Sequence, residues 1–284
     1  MTSQHDGPSR SAPAVAAEIA EGFEIVPGDP RLGLVILADH ASNRVPADLV
    51  ALGLPPAEFE RHIAYDIGVA PLTRALAARL GVPAVLSRFS RLVIDPNRAE
   101  DDPTLVMRLS DGAVIPGNRS IDEAGRQARI ERFWRPYDAA IGRTIDAAFT
   151  AGRPPVLLSL HSYTPIWRGR PRPWHCGVLW DADPRLPDLL LDRLRGDTEL
   201  VVGDNEPYDG ALIGDTMYRH GTLRGLAHAI LEVRQDLIAD AAGVESWAGR
   251  LEPILREAVT HAALGEPRLW GSRTGPIDGI DRRA

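Results

Sequence analysis

The run Leu34-Val35-Ile36-Leu37-Ala38-Asp39-His40 decides how this chain is read. An unbroken apolar run reads as a strand buried on both faces, and such strands belong to parallel sheets covered by helices. With the first strand taken as 32–38, comparable runs fall at 82–86, 156–160, 176–180, 200–202 and 226–231. Helical periodicity alternates with them. Residues 68–80 put Leu72, Ala75, Leu76 and Leu80 on one face, and Ser120-Ile121-Asp122-Glu123 reads as a capping box opening a helix to about 151, kinked at Pro136. Residues 186–194 and 246–263 are two more helices, the second interrupted at Pro253. This alternation predicts an α/β sandwich with a mixed, mostly parallel sheet. In such sheets ligands bind beyond the carboxyl ends of strands, where His40, His161 and Glu232 are expected.

Composition bounds the rest. A chain of 284 residues, 44% hydrophobic and 25% charged, supports a substantial core. With no linker or repeat in view, a single catalytic domain is expected over 21–272, after a disordered Ser/Pro/Ala-rich segment at 1–20 and before a loose tail at 273–284. A net charge of -7 without basic blocks argues against a nucleic-acid partner. The single cysteine, Cys176, excludes an intrachain disulfide, fits a reducing cytoplasm and cannot build a multi-thiolate zinc site. No apolar stretch approaches the roughly 20 residues of a membrane span. The N-terminus lacks a basic n-region, and Glu18 interrupts its apolar residues 14–20, so export is not expected. Nothing in the sequence sets an oligomeric state.

Three strings carry chemistry: Asp39-His40-Ala41-Ser42-Asn43, Leu160-His161-Ser162-Tyr163 and Leu231-Glu232-Val233-Arg234. Two strand-end imidazoles suit a catalytic zinc, which takes three protein ligands and a water. His40 has a competing reading as a cap of the next helix. Asp66, in Tyr65-Asp66-Ile67-Gly68, is either a helix cap or the third ligand. Asn43 fits substrate contact or support of the ligands better than metal binding, because a neutral amide binds zinc poorly. Glu232 reads as a general base whose pKa burial would raise, or as an ion-pair partner of Arg234. Arg91 and Arg98, in Ser90-Arg91-Leu92-Val93-Ile94-Asp95-Pro96-Asn97-Arg98, offer bidentate grips for a carboxylate, or salt bridges to Asp95 or Glu100. Asn205 and Tyr208 mark a loop that shapes a pocket or simply turns. Cys176 reads as core and His228 as core or support. Serine-hydrolase, P-loop and dinucleotide-binding strings do not occur.

Seven ordered strings resemble the N-formylglutamate amidohydrolase family from about residue 30 to 240: D-H-A-S-N-R-V-P at 39–46, Y-D-I-G at 65–68, S-R-L-V-I-D-P-N-R at 90–98, L-H-S-Y-T-P at 160–165, W-H-C-G-V-L-W-D at 174–181, N-E-P-Y-D-G at 205–210 and H-A-I-L-E-V-R-Q-D-L-I at 228–238. The chain is more distantly similar to zinc carboxypeptidases, whose H-x-x-E, H-S-Y, N-R and E-L-R patterns fall on His40, His161-Ser162-Tyr163, Asn97-Arg98 and Glu232-Val233-Arg234. Asn43 stands where that family has glutamate, which is why Asp66 is offered in its place. The resemblance implies a phosphorylase/hydrolase-like three-layer sandwich and a zinc-dependent amidohydrolase releasing formate from N-formyl-L-glutamate. Carboxypeptidase-like or other N-acyl amino acid deacylase activity, and a binding module on the same fold, are the alternatives. It also implies a carboxylate-bearing small molecule as substrate, with Asn97 and Arg98 on its carboxylate.

Overall fold

The computed structural model describes residues 14–277. Eight strands form one sheet: β1 (Glu18–Ile19), β2 (Phe23–Val26), β3 (Leu34–Ala38), β4 (Ala84–Ser87), β5 (Val156–Tyr163), β6 (Cys176–Leu179), β7 (Val202–Asp204) and β8 (His228–Arg234). Their order is β1-β2-β4-β3-β5-β8-β6-β7. The central four, β4-β3-β5-β8, are mutually parallel, while β2 pairs antiparallel with β4 and β6 antiparallel with β8. The sheet is thus mixed and mostly parallel, as expected.

Side-chain alternation divides these strands between two cores. Leu34, Ile36, Ala38, Leu158, Leu160, Ala229 and Leu231 pack beneath α1 (Val69–Leu80), α4 (Arg185–Arg195) and α6 (Ala241–Ala258). Val35, Leu37, Leu157 and Ile230 face the opposite layer, where Phe133, Tyr137, Ile141 and Ile145 cover them. That layer is α2 (Glu123–Arg129) and α3 (Arg135–Thr150), joined by a π turn over Ile130–Trp134, with the short α5 (Thr216–His220) against α3. Pro136 has no N–H for a partner in the preceding turn, so a one-residue slip just before it lets the helix continue. Among the described residues no helix is long and apolar enough to cross a membrane.

Several boundaries differ from expectation. Asp122, not Ser120, caps α2, its carboxylate accepting from Gly125 N at 2.8 Å. Pro253 does not interrupt α6, which runs 18 residues. Its ring lies on the exposed side, so the stripe Trp247, Leu251, Leu255 passes it unbroken. The sheet gains β1 and β2 at one edge, so residues 18–19 of the segment expected to be disordered pair with 24–25; residues 1–13 lie outside the described residues. Of the expected tail, Arg273 is tied to Asp209 and the Trp180 carbonyl, and 278–284 lie outside the described residues. His161 and Glu232 lie inside their strands rather than beyond them, because the β5–β8 ladder continues through Glu232↔His161 to Arg234↔Tyr163.

Candidate active site

On the α3 side of the sheet, the last inward residues of the central strands turn polar. Parity sends Ser159 and His161 of β5 to this face, with Glu232 of β8 in register beside His161. Asp39 and His40 follow the end of β3. Asp66 reaches the same point from the loop before α1, its N–H bonded to the His40 carbonyl at 2.9 Å. Gly68 makes that turn possible. Its φ is +81°, and a Cβ there would meet the Ile238 carbonyl oxygen at 2.1 Å. Gly68, not Asp66, occupies the N-cap position of α1, which leaves the Asp66 carboxylate free to point at the histidines.

The two imidazoles are held alike. His40 Nε2 lies 2.7 Å from Asp95 Oδ1, and His161 Nε2 lies 3.1 Å from Asp39 Oδ2. Both Nδ1 atoms then face Asp66 Oδ2, at 3.4 Å from His40 and 2.9 Å from His161. The ring centroids are 4.9 Å apart. One ligand atom from each of His40, Asp66 and His161 lies within 4.8 Å of the others, and all three residues are buried. A carboxylate on the far nitrogen of a ligating imidazole fixes its tautomer and raises its basicity.

Electrostatics suit a cation here. Burial pushes the Asp39 pKa up, but the hydrogen bond and charge of His161, the charge of His40 and the Thr216 hydroxyl hold it at about 2. Tyr137 and Ser159 also donate to Asp39, at 3.1 and 2.8 Å. Asp66 is likewise lowered, burial being outweighed by His40 and His161. Asp95 falls well below the usual range, Arg91 and His40 outweighing its burial. Burial would depress His161, but its hydrogen bonds to Asp39 and Asp66 drive it well above the usual value. Glu232 goes the other way: burial, with a push from Asp66, lifts it to about 7 against the pull of His161, His40 and Arg91. Glu232 is not paired with Arg234, whose guanidinium binds Asp236 at 2.8 Å.

These groups open on a cavity of about 310 Å³. Among the described residues seven buried side-chain polar atoms have no hydrogen-bond partner, and four belong to this cavity's wall: His40 Nδ1, His62 Nε2, Arg91 Nε and Glu232 Oε2. Such a concentration of unmet polar atoms fits a site that receives a ligand. With two imidazole nitrogens, a carboxylate oxygen and no thiolate, the donor set suits a divalent metal.

The other sequence candidates divide. Asn97, Arg98 and Tyr208 line the cavity. Asn97 Oδ1 also accepts from Thr216 N at 3.0 Å. Among the described residues the Arg98 guanidinium hydrogen-bonds only to the Asn97 carbonyl, at 2.9 Å, and forms no ion pair; Glu100 pairs with Arg135 instead. Arg91 lines the cavity but is engaged by Asp95 at 2.7 Å. Asn43 is turned away and donates to the Phe59 carbonyl at 2.9 Å. Asn205 shapes the neighbouring turn, accepting from Trp180 N and Gly210 N at 2.9 and 3.0 Å. Cys176 is core, its thiol pushed up to about 12 by burial, and His228 is held by the Leu226 carbonyl at 2.7 Å. Sequence reasoning missed Asp39 and Asp95 as partners of the imidazoles. It also missed Asp215, on the cavity wall, which burial lifts to about 7.

Paired imidazoles and an acid poised near neutrality, at the carboxyl rim of parallel strands, are the equipment of a hydrolase. Residues 32–239 match the N-formylglutamate amidohydrolase family, and the chain belongs to it. It is 27% identical over 213 residues to an N-formylglutamate deformylase of Pseudomonas putida, covering 67% of this chain and 74% of that protein. Among solved structures it resembles gene product Atu2144 of Agrobacterium tumefaciens, with a TM-score of 0.78 and 32% identity over 85% of this chain and 96% of that one. An N-formylglutamate amidohydrolase from Ralstonia eutropha JMP134 shares the fold, with a TM-score of 0.67 and 24% identity over 87% of this chain and all (100%) of that one.

Proposed function

We propose that this chain hydrolyses the amide of N-formyl-L-glutamate to formate and L-glutamate, using a divalent metal, zinc by preference. The observation that carries the reading is the convergence of both imidazole Nδ1 atoms on Asp66 beside the unpartnered Oε2 of Glu232. His40, His161 and Asp66 would hold the metal. When bound, it supplies Lewis acidity at the scissile carbonyl and lowers the pKa of water.

The chain's own residues do the rest. Asp39 and Asp95 keep a proton on each Nε2, so each Nδ1 would offer its lone pair to a metal once the proton His161 shares with Asp66 is displaced. Glu232 takes a proton from the attacking water and returns it to the leaving nitrogen, a role typically worth about 10²–10⁴-fold. A pKa near 7 suits both halves of that transfer. Arg98, which forms no ion pair among the described residues, grips a substrate carboxylate beside Asn97 and sets its distance from the reacting carbon.

The test is a panel of N-formyl, N-acetyl and N-succinyl derivatives of L-glutamate, with metal content measured on the same preparation. Formate release fastest from the N-formyl compound, lost on chelation and restored by zinc, is the expected result. Preference for a larger acyl group would move the assignment to another N-acyl amino acid deacylase. Full activity in metal-free protein would remove the metal from the proposal.

A further inference from the structure

N-formyl-L-glutamate carries two carboxylates, and one guanidinium cannot grip both with paired hydrogen bonds. Around the cavity most arginines are already matched: Arg91 by Asp95, Arg61 by Glu58 and Asp111, Arg219 by Asp138. Besides Arg98, the half-buried cation near this cavity without an ion pair among the described residues is Arg172. It follows the hairpin Ile166–Trp167/Arg170–Pro171, and its guanidinium carbon lies 5.3 Å from the ring centroids of Tyr163 and Trp167 and 4.9 Å from that of Tyr208. All three rings line the cavity, and Arg172 stands immediately outside that lining, in contact with them. Among the described residues its guanidinium reaches the Thr164 carbonyl only at 3.4 Å, and otherwise lies beside the Tyr208 phenol, whose pKa, raised by burial, it pulls down by its charge and a hydrogen bond.

Three aromatic faces fix a planar cation in place without neutralising it, so its donors stay available to an anion. Tyr208 links this group to the reacting end. Burial lifts its phenol, and the charges of Glu232 and Arg172 act on it with opposite sign. We infer that Arg172, held in its cage of Tyr163, Trp167 and Tyr208, binds the side-chain carboxylate of the substrate and makes the enzyme selective for N-acyl dicarboxylic amino acids. This rests on the N-formylglutamate reading above and assigns Arg98 the other carboxylate.

The experiment compares kcat/KM for N-formyl-L-glutamate and N-formyl-L-glutamine, nearly isosteric compounds that differ in one charge. The parent should prefer the acid on the order of 10²-fold, as expected when a charged donor loses its partner. In Arg172→Met that ratio should shrink towards one, chiefly through KM. Arg172→Lys, which keeps the charge but loses the fork, should fall between and carries the test if the methionine variant does not fold. Equal losses on both substrates would make Arg172 a brace of the hairpin and overturn the inference, as would a parent indifferent to the charge. A parent that hydrolyses neither compound would sink the hydrolase reading instead. Calorimetric binding of glutarate then still decides: weaker in Arg172→Met supports the role, and unchanged refutes it.

Discussion

The two faces of the sheet are built from the same strands yet end differently. On the side of α1, α4 and α6, the strands present the apolar Ala38, Leu160 and Leu231 to the core. On the side of α3, the adjacent positions are Asp39, His161 and Glu232. One step along a strand switches faces, so stability and chemistry are carried by alternating residues of one segment. The polar face needs the apolar one: four unpartnered polar atoms at the cavity oppose folding, and the opposite core offsets them.

Neighbouring substitutions at the end of β8 probe this division most sharply. On the proposed mechanism, Glu232→Gln should lower kcat by about 10³-fold without changing metal content, since it removes only the proton acceptor; near-parental turnover would exclude Glu232 from the reaction. Leu231→Ala, one residue earlier, should instead cost about 2–5 kcal/mol of stability in denaturant unfolding while the folded fraction keeps its turnover. If both variants lost stability and rate together, the faces would not be separable.

A smaller effect is expected where the polar face is propped from behind. Asp39→Asn and Asp95→Asn should each weaken metal affinity about 10–100-fold in chelator competition. Unchanged affinity in both would show that the carboxylates do not orient the imidazoles.

A pH-dependent effect concerns Asp215, whose neighbours are Asp39, Arg219, Arg98 and the Tyr218 N–H it caps. Its folded pKa of about 7 exceeds the ordinary 3.8, so the folded state holds this proton more tightly than the unfolded chain does. Its contribution is therefore fully present below about pH 4 and is lost as pH rises through 7. Asp215→Asn keeps the cap and removes the titration. Relative to the parent, the variant should gain about 2–3 kcal/mol, several degrees of Tm, between pH 5 and pH 8. A difference that stays flat with pH would contradict the raised pKa.

Much of this was legible in the sequence. Continuous apolar runs gave the central strands, and the periodicity of 68–80 gave α1 within one residue. His40, His161 and Asp66 stand in separate strings whose chemistry lets them share a ligand, and they converge. What escaped notice is non-local. The roles of Asp95 and Asp39 depend on partners 55 and 122 residues away, which no local pattern encodes. The carboxyl ends of β5 and β8 were cut short because the apolar run stops at the first polar residue, whereas backbone pairing continues past it. Asn43 was placed by its spacing from His40, but the Phe59 carbonyl claims its amide. The strand Phe23-Glu24-Ile25-Val26, between β1 and β4, has too few residues for alternation to be read.

The π turn at Ile130–Trp134 has a rotational consequence. Each residue of a helix turns it by about 100°, so the extra winding there sets the azimuth at which every later side chain of α3 emerges. Tyr137 owes to that phase its position over Asp39, 3.1 Å from phenol to carboxylate. Deleting one residue from the turn would swing the phenol a quarter revolution or more aside, and a defect in a helix would be felt as a loosened imidazole on the sheet below.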